Sequence, residues 1–193
     1  IEINISYQGA RMEIWTGLPG SEITNLTDSN RYPNQPDQIS FIETLSSPVD
    51  QLDEYGIRLT AYLIPPDDGD YTFWIASDDQ GELWLSPNST RDDLEKIANV
   101  VYYTAPQEWT ATPEQRSNPV TLIGGQAYFI EALMKEGAGG DHLAVGWSKD
   151  EGMPHLIPTR YLSVVLPLQP VLDAGAPVVD SAPPVSDSEG PVD

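Results

Sequence analysis

The sequence predicts an all-β fold, a sandwich or barrel with long loops, on three observations. Short runs rich in Tyr, Trp, Ile and Val recur along the 193 residues, clusters of Pro, Gly, Asp and Asn separate them, and no apolar pattern of helical period persists beyond about two turns. The long crossover helices of an α/β fold are missing. With 39% hydrophobic residues and five Trp, the chain can bury a real core.

Eight strands are expected. Residues 11–15 end on Ile14 and Trp15 before Gly17, Pro19 and Gly20; residues 56–63 carry Ile57, Leu59, Tyr62 and Leu63. Pro65-Pro66-Asp67-Asp68-Gly69-Asp70 follows as a turn: the prolines preset φ, Gly69 tolerates φ > 0, and the Asp side chains bond nearby amides. In residues 71–76 both alternating faces are largely apolar, which suits a strand in the middle of a packed sheet, and residues 127–133 read the same way within an expected strand over 128–134. Shorter strands are expected at 82–85, 100–103, 120–122 and 143–147. Asp92-Asp93 is read as a loop leading into a short helix, whose first turn favours acids. Trp84, Trp109 and Trp147 are expected in the core, with stacking on a sugar ring as the other use of such a side chain.

Composition changes near Pro167. Residues 167–193 hold six Pro, five acids and no Lys or Arg, which reads as an extended linker or tail behind a domain over 1–166. The chain begins at Ile1 rather than Met and is read as a piece of a larger or processed protein, one module of a multidomain chain and monomeric in itself.

Thirty acids against nine bases give a net charge of -21, a field that repels phosphate backbones and anionic headgroups, so nucleic acid is a poor partner. Without Cys there is no thiol nucleophile, zinc-thiolate site or disulfide, and the two His, 142 and 155, make no zinc-hydrolase spacing. No run approaches the ~18 apolar residues needed to span a bilayer, so membrane insertion is not expected.

Two loops carry the chemistry. Ser77-Asp78-Asp79-Gln80-Gly81 follows the 71–76 run, and Glu136-Gly137-Ala138-Gly139-Gly140-Asp141-His142 follows the run through Lys135. If the fold joins these turns, Asp78, Asp79 and Asp141 form a pocket of hard oxygens suited to Ca2+, while Gly137, Gly139 and Gly140 let the second loop turn carbonyls inward. A plain hairpin turn would use the same Asp and Gly residues.

The run from Tyr71 through Asp78-Asp79-Gln80-Gly81 to Leu85 resembles the signature hairpin of the PA14 domain. Further matches are Trp15 with Leu18-Pro19-Gly20, Tyr55-Gly56-Ile57-Arg58-Leu59, Gly125-Gln126-Ala127-Tyr128-Phe129-Ile130, and the stretch from Lys135 to Trp147, together covering about residues 7–164. The resemblance implies a β-sandwich or barrel-like module found in adhesins and beside glycosidases, proteases and toxins. In its sugar-binding members an Asp-Asp pair, often joined by a cis peptide, and a second loop hold one Ca2+ that in turn holds vicinal hydroxyls of a sugar. Carried onto this sequence, the pair is Asp78-Asp79, the second-loop side chain is Asp141, and carbonyls near Ala138 and Gly139 complete the protein's share. The Asn of the fungal second loop is absent, so the fungal sugar preference does not transfer; the Gly-Gly-Asp form looks more like that of bacterial adhesin modules. Asp78, Asp79, Gln80 and His142 are the expected sugar contacts, with a loop-stabilising hydrogen bond as the alternative for His142.

The leading expectation is a non-catalytic, calcium-dependent carbohydrate-binding module at an extracellular or cell-surface location, with glycans or polysaccharides as partners. A structural spacer that keeps the fold and binds no glycan is the alternative. A hydrolase would need two carboxylates about 5–9.5 Å apart over a substrate cleft, and two short loops offer little cleft.

Overall fold

In the computed structural model, which describes residues 8–165, the chain runs β1 (Ala10–Thr16), α1 (Ile23–Thr27), β2 (Gln38–Ile42), β3 (Tyr55–Leu63), β4 (Gly69–Asp78), β5 (Gln80–Leu85), β6 (Glu95–Val100), β7 (Val120–Leu122), β8 (Tyr128–Glu136), β9 (His142–Lys149), β10 (His155–Leu156) and β11 (Leu162–Ser163). One-turn 3-10 helices occupy Pro113–Gln115 and Thr159–Tyr161. The expected linker at 167–193 lies outside the described residues. No helix among those described is long and apolar enough to cross a membrane.

Two antiparallel sheets form a sandwich. The larger has the order β2-β1-β3-β8-β5-β6 with β11 also on β3, and the smaller has the order β10-β9-β4-β7. Period-two alternation sets the core: Ile57, Leu59, Ala61 and Leu63 of β3 and Ile130, Ala132 and Met134 of β8 face Tyr71, Phe73 and Ile75 of β4 and Leu143, Val145 and Trp147 of β9. Trp147 stacks on Tyr71 with ring centroids 4.9 Å apart. Each such side chain taken fully from water contributes roughly 1.5–3 kcal/mol, so this interleaved layer is what holds the sheets face to face.

The outer face of β4 is covered as well. Segment 103–117 runs along its edge: Thr104 N–H donates to the Ser77 carbonyl at 2.9 Å, buried Gln115 donates Nε2–H to the Ile75 carbonyl at 2.9 Å, and Phe73 N–H donates to Ser117 Oγ at 2.9 Å. Thr72, Trp74 and Ala76 are therefore buried, which accounts for a strand apolar on both faces.

Five expectations need correction. The strand placed at 100–103 lies at Glu95–Val100, where Ala98 and Val100 turn to the core, while Tyr102 and Tyr103 are 76% and 69% exposed. Asp93 leads through a turn directly into β6, with no helix after it. The edge strand β2 and the short helix α1 were not anticipated. Trp147 is core, but Trp84 and Trp109 are only half-buried. The acids of the 65–70 turn reach across to β7 and the turn after it rather than to nearby amides: Asp68 Oδ1 accepts Gly124 N–H at 2.8 Å and Asp70 Oδ1 accepts the Thr121 hydroxyl at 2.6 Å.

Candidate metal centre

The β4–β5 hairpin and the β8–β9 loop meet at one end of the sandwich because β4 pairs with β9 as far as Asp78 opposite His142, and β5 pairs with β8 from Gln80 opposite Lys135. The Asp78-Asp79 peptide is cis. Ser77 Oγ–H donates to the Asp79 carbonyl at 2.9 Å, and a Cβ at Gly81 would stand 2.4 Å from that same Oγ, so the chain can double back here only with Gly at 81. Asp79 Oδ2 accepts Gly137 N–H at 3.0 Å, which ties the two loops together through a carboxylate.

One carboxylate oxygen each from Asp78, Asp79 and Glu136 lies within 4.8 Å of the others. Glu136 was not among the residues picked from sequence. It continues the core-facing register of Ile130, Ala132 and Met134 to the end of β8, so its side chain points between the sheets, fully buried. Both of its carboxylate oxygens are buried without a hydrogen-bond partner, and so is the hydroxyl of Tyr55, which pairs with Glu136 across β3 and β8. The neighbouring cation does not reach it: Lys135 points to the other face, where Nζ donates to the carbonyls of Gly20 and Glu136. The available signal was the parity of β8, which places an acid on a face otherwise filled by Ile, Ala and Met.

Asp141 has a different place. It is buried, and Oδ2 accepts Gln51 N–H at 2.6 Å and Leu52 N–H at 2.9 Å, while its carbonyl accepts Asp50 N–H at 3.0 Å. Asp53 Oδ1 accepts Gly139 N–H at 3.1 Å, and Glu54 N–H donates to the Gly137 carbonyl at 2.8 Å. Residues 50–54 thus form a third acidic loop stapled to the second, a contact with no local sequence signal. Asp141 stands outside the tight three-carboxylate group and keeps one buried, unpartnered oxygen, Oδ1. Ala138 and Gly139 sit at the tip of the second loop, Gly139 with φ of 129°.

Two of the expected sugar contacts face elsewhere. Gln80 Oε1 accepts Ile23 N–H at 3.1 Å on the outer face of the larger sheet. His142 is buried, its Nε2 without a hydrogen-bond partner, and burial holds its pKa below the usual value. The position leaves the ring out of solvent reach.

The electrostatics follow from burial first and crowding second. Burial, then the charges of Asp79, Asp141 and Asp50, push Asp78 up to about 6. Burial, then the charges of Asp79, Asp78 and Asp141, push Glu136 up to about 7 against the smaller opposing pull of the Asp79 backbone. A buried carboxylate without a partner is expensive, and a hard dication with six to eight oxygen ligands is the counter-charge that this donor set fits.

A family model described as the PA14 domain matches residues 17–160. Over 98 residues the chain is 38% identical to N-acetyl-beta-glucosaminyl-glycoprotein 4-beta-N-acetylgalactosaminyltransferase 1 of Mus musculus, a match covering 48% of this chain and 10% of that protein. Among solved structures, the PA14 sugar-binding domain from an RTX adhesin superposes with a TM-score of 0.62 at 13% identity, over 83% of this chain and 100% of that one. The epithelial adhesin 6 A domain from Candida glabrata, solved in complex with Galβ1-3GlcNAc, does so with a TM-score of 0.60 at 14% identity, over 85% of this chain and 90% of that one.

Proposed function

Since the chain belongs to the PA14 domain family, and since a wholly buried, unpartnered Glu136 joins Asp78 and Asp79 at its loop end, we propose that it is a non-catalytic, calcium-dependent carbohydrate-binding module. The observation that carries this reading is Glu136: a carboxylate without solvent or any side-chain donor, beside two more, calls for a cation. Asp78, Asp79 and Glu136 would hold it, with the Ala138 and Gly139 carbonyls as further oxygens from the second loop. Bound Ca2+ supplies a hard centre whose remaining oxygen positions accept vicinal hydroxyls in place of water.

The chain's own residues do the rest. Asp79 is oriented by Gly137 N–H, so its other oxygen is left to accept a hydroxyl proton. Glu136 lies behind the pair, fully buried, and serves the ion rather than the sugar. Oxygens within 4.8 Å of one another crowd closer than the acid and base of a glycosidase, which stand about 5–9.5 Å apart. Two sugar-binding domains of the same fold support the glycan partner, and an extracellular or cell-surface setting follows from that partner. The glycosyltransferase relative extends far beyond the matched region, which covers 10% of its length.

The test is a glycan array run with calcium, with EDTA, and with Asp79→Ala, alongside calorimetric titration of Ca2+. Binding that needs both the ion and Asp79 is the expected result. Glycan binding that survives EDTA and Asp79→Ala would rule out the metal mechanism, and calcium uptake without any glycan would leave a structural spacer.

A further inference from the structure

Away from the metal centre, the outer face of the smaller sheet carries a groove formed by residues 107–119 and the β9–β10 turn. Two adjoining chambers of about 600 Å³ and about 480 Å³ share Trp74, Trp109, Arg116 and Glu151 in their walls, with Asn118 in one and Gln107 in the other. We infer that this groove is a second saccharide-binding site, built for a neutral oligosaccharide and independent of calcium.

The walls are rigid. Gln115 is fully buried, and its amide donates to the carbonyls of Ile75 at 2.9 Å and Glu108 at 2.5 Å while accepting Thr112 N–H at 2.9 Å. Glu108 caps the same segment by accepting Ala105 N–H at 2.9 Å. Trp109 lies against Gly146 of β9, where a Cβ would stand 3.3 Å from the indole, so Gly in mid-strand is what lets the ring pack down. A loop of this length pinned at several points is a positioned surface rather than a slack connection.

The chemistry of the walls selects the ligand. A pyranose presents an apolar C–H face and a rim of hydroxyls; half-buried Trp109 offers the ring surface, and Asn118, Gln107 and Glu151 offer planar donors and acceptors around it. Arg116 lies 5.7 Å over the Trp74 ring and, among the described residues, makes no ion pair, so its donors are free in a chain where acids outnumber bases thirty to nine. With Glu108 and Glu151 opposing that single cation in a chain of net charge -21, a polyanion is disfavoured and a neutral chain is not. Trp74 lies four residues before Asp78 on β4, about 13 Å at a strand's rise per residue, so the groove shares no residue with the metal centre.

The test uses neutral gluco-, galacto- and chito-oligosaccharides from monosaccharide to about hexasaccharide, titrated against the labelled chain in EDTA while the indole N–H resonances are followed. Shifts at Trp74 and Trp109, with affinity rising with length and falling about tenfold in Trp109→Ala and severalfold in Asn118→Ala, are expected. Asp79→Ala should leave those shifts unchanged, which keeps failure of the groove distinct from failure of the metal site. Asn118→Ala and Glu151→Gln are surface changes that guard against misfolding of Trp109→Ala. No indole shift with any sugar, wild-type affinity in all three groove variants, or shifts produced by a polyproline peptide instead would each overturn the proposal.

Discussion

Glu131 and Glu136 lie five residues apart on β8, both almost without solvent exposure, and they meet opposite environments. Glu131 receives two hydrogen bonds from one guanidinium, Arg91 Nε–H at 3.0 Å and Nη2–H at 3.2 Å. Nearby on the same face, Glu13 is held by Arg58 at 2.6 Å and Arg11 at 2.9 Å. Glu136 receives no side-chain donor, stands beside two more carboxylates, and is pushed up to about 7. A chain with only nine cations pairs five of the described ones with acids of the larger sheet and its rim, namely Arg11, Arg31, Arg58, Arg91 and Lys96, and, among the described residues, forms no ion pair with the loop-end carboxylates, which feel Lys135 only through space. Buried charge completed from within marks structure; buried charge left open marks a place for a ligand from outside.

The largest expected effect breaks the comparison at its open end. Glu136→Gln should weaken Ca2+ binding by on the order of 100-fold, about 2.7 kcal/mol, because an anionic oxygen at the centre of the shell is lost. Glu131→Gln should leave calcium affinity unchanged. Calorimetric titration of both variants decides it, and equal effects would show that the two acids are not different in kind.

Next is the closed end. Arg91→Ala strands Glu131 in the position that Glu136 holds by design, and a stability loss of about 2 kcal/mol is expected; the figure is below the usual range for a broken buried pair because Arg91 is 44% exposed. Urea melts at fixed calcium measure it. A loss well under 0.5 kcal/mol would mean that Glu131 tolerates solitude, and the case for an ion at Glu136 would weaken accordingly.

The pH dependence sharpens the contrast. Asp78 and Glu136 have folded-state pKa values raised from 3.8 to about 6 and from 4.5 to about 7. Between roughly pH 4 and 7 the folded chain therefore binds more protons than the unfolded one, so without calcium its stability falls as pH rises through that window. Calcium affinity runs the other way, since protons compete for the same oxygens, and should rise about a hundredfold from pH 5.5 to 7.5. Thermal melts with EDTA and with calcium across this range should show slopes of opposite sign, and parallel slopes would remove these two acids from the site.

Much of this architecture was legible because its strands are short, apolar and set off by turn residues. β4 and β8, apolar on both faces, read as central strands and are buried on both, and the Asp-Asp turn announced one loop of the centre. β2 escaped notice because an edge strand with Ile39 52% and Phe41 69% exposed has no buried face to pattern. β6 was displaced because Val101, Tyr102 and Tyr103 look more like a strand than Glu95 and Lys96 do, yet only register on β5 decides which residues pair. Glu136 was hidden by a boundary: ending the strand at Met134 leaves it in a loop, whereas two more paired residues carry it into the core. The 50–54 loop docks through backbone amides, a contact that side-chain identity does not encode.

The smallest expected effect concerns Asp141, which the resemblance placed in the calcium shell and which lies outside the group of three carboxylate oxygens within 4.8 Å of one another. Its Oδ2 already accepts two backbone amides, and an Asn side chain offers an oxygen of the same reach. Asp141→Asn should therefore keep residues 50–54 docked and change calcium affinity by no more than about threefold, the part owed to one charge at second remove. Asp141→Ala, which removes the one oxygen that accepts both amides, should instead expose the N–H groups of Gln51 and Leu52 to hydrogen exchange. If Asp141→Asn abolishes calcium binding as completely as Glu136→Gln, then Asp141 turns its unpartnered Oδ1 to the ion, the second loop closes further than its hydrogen bonds here imply, and the shell has four carboxylates rather than three.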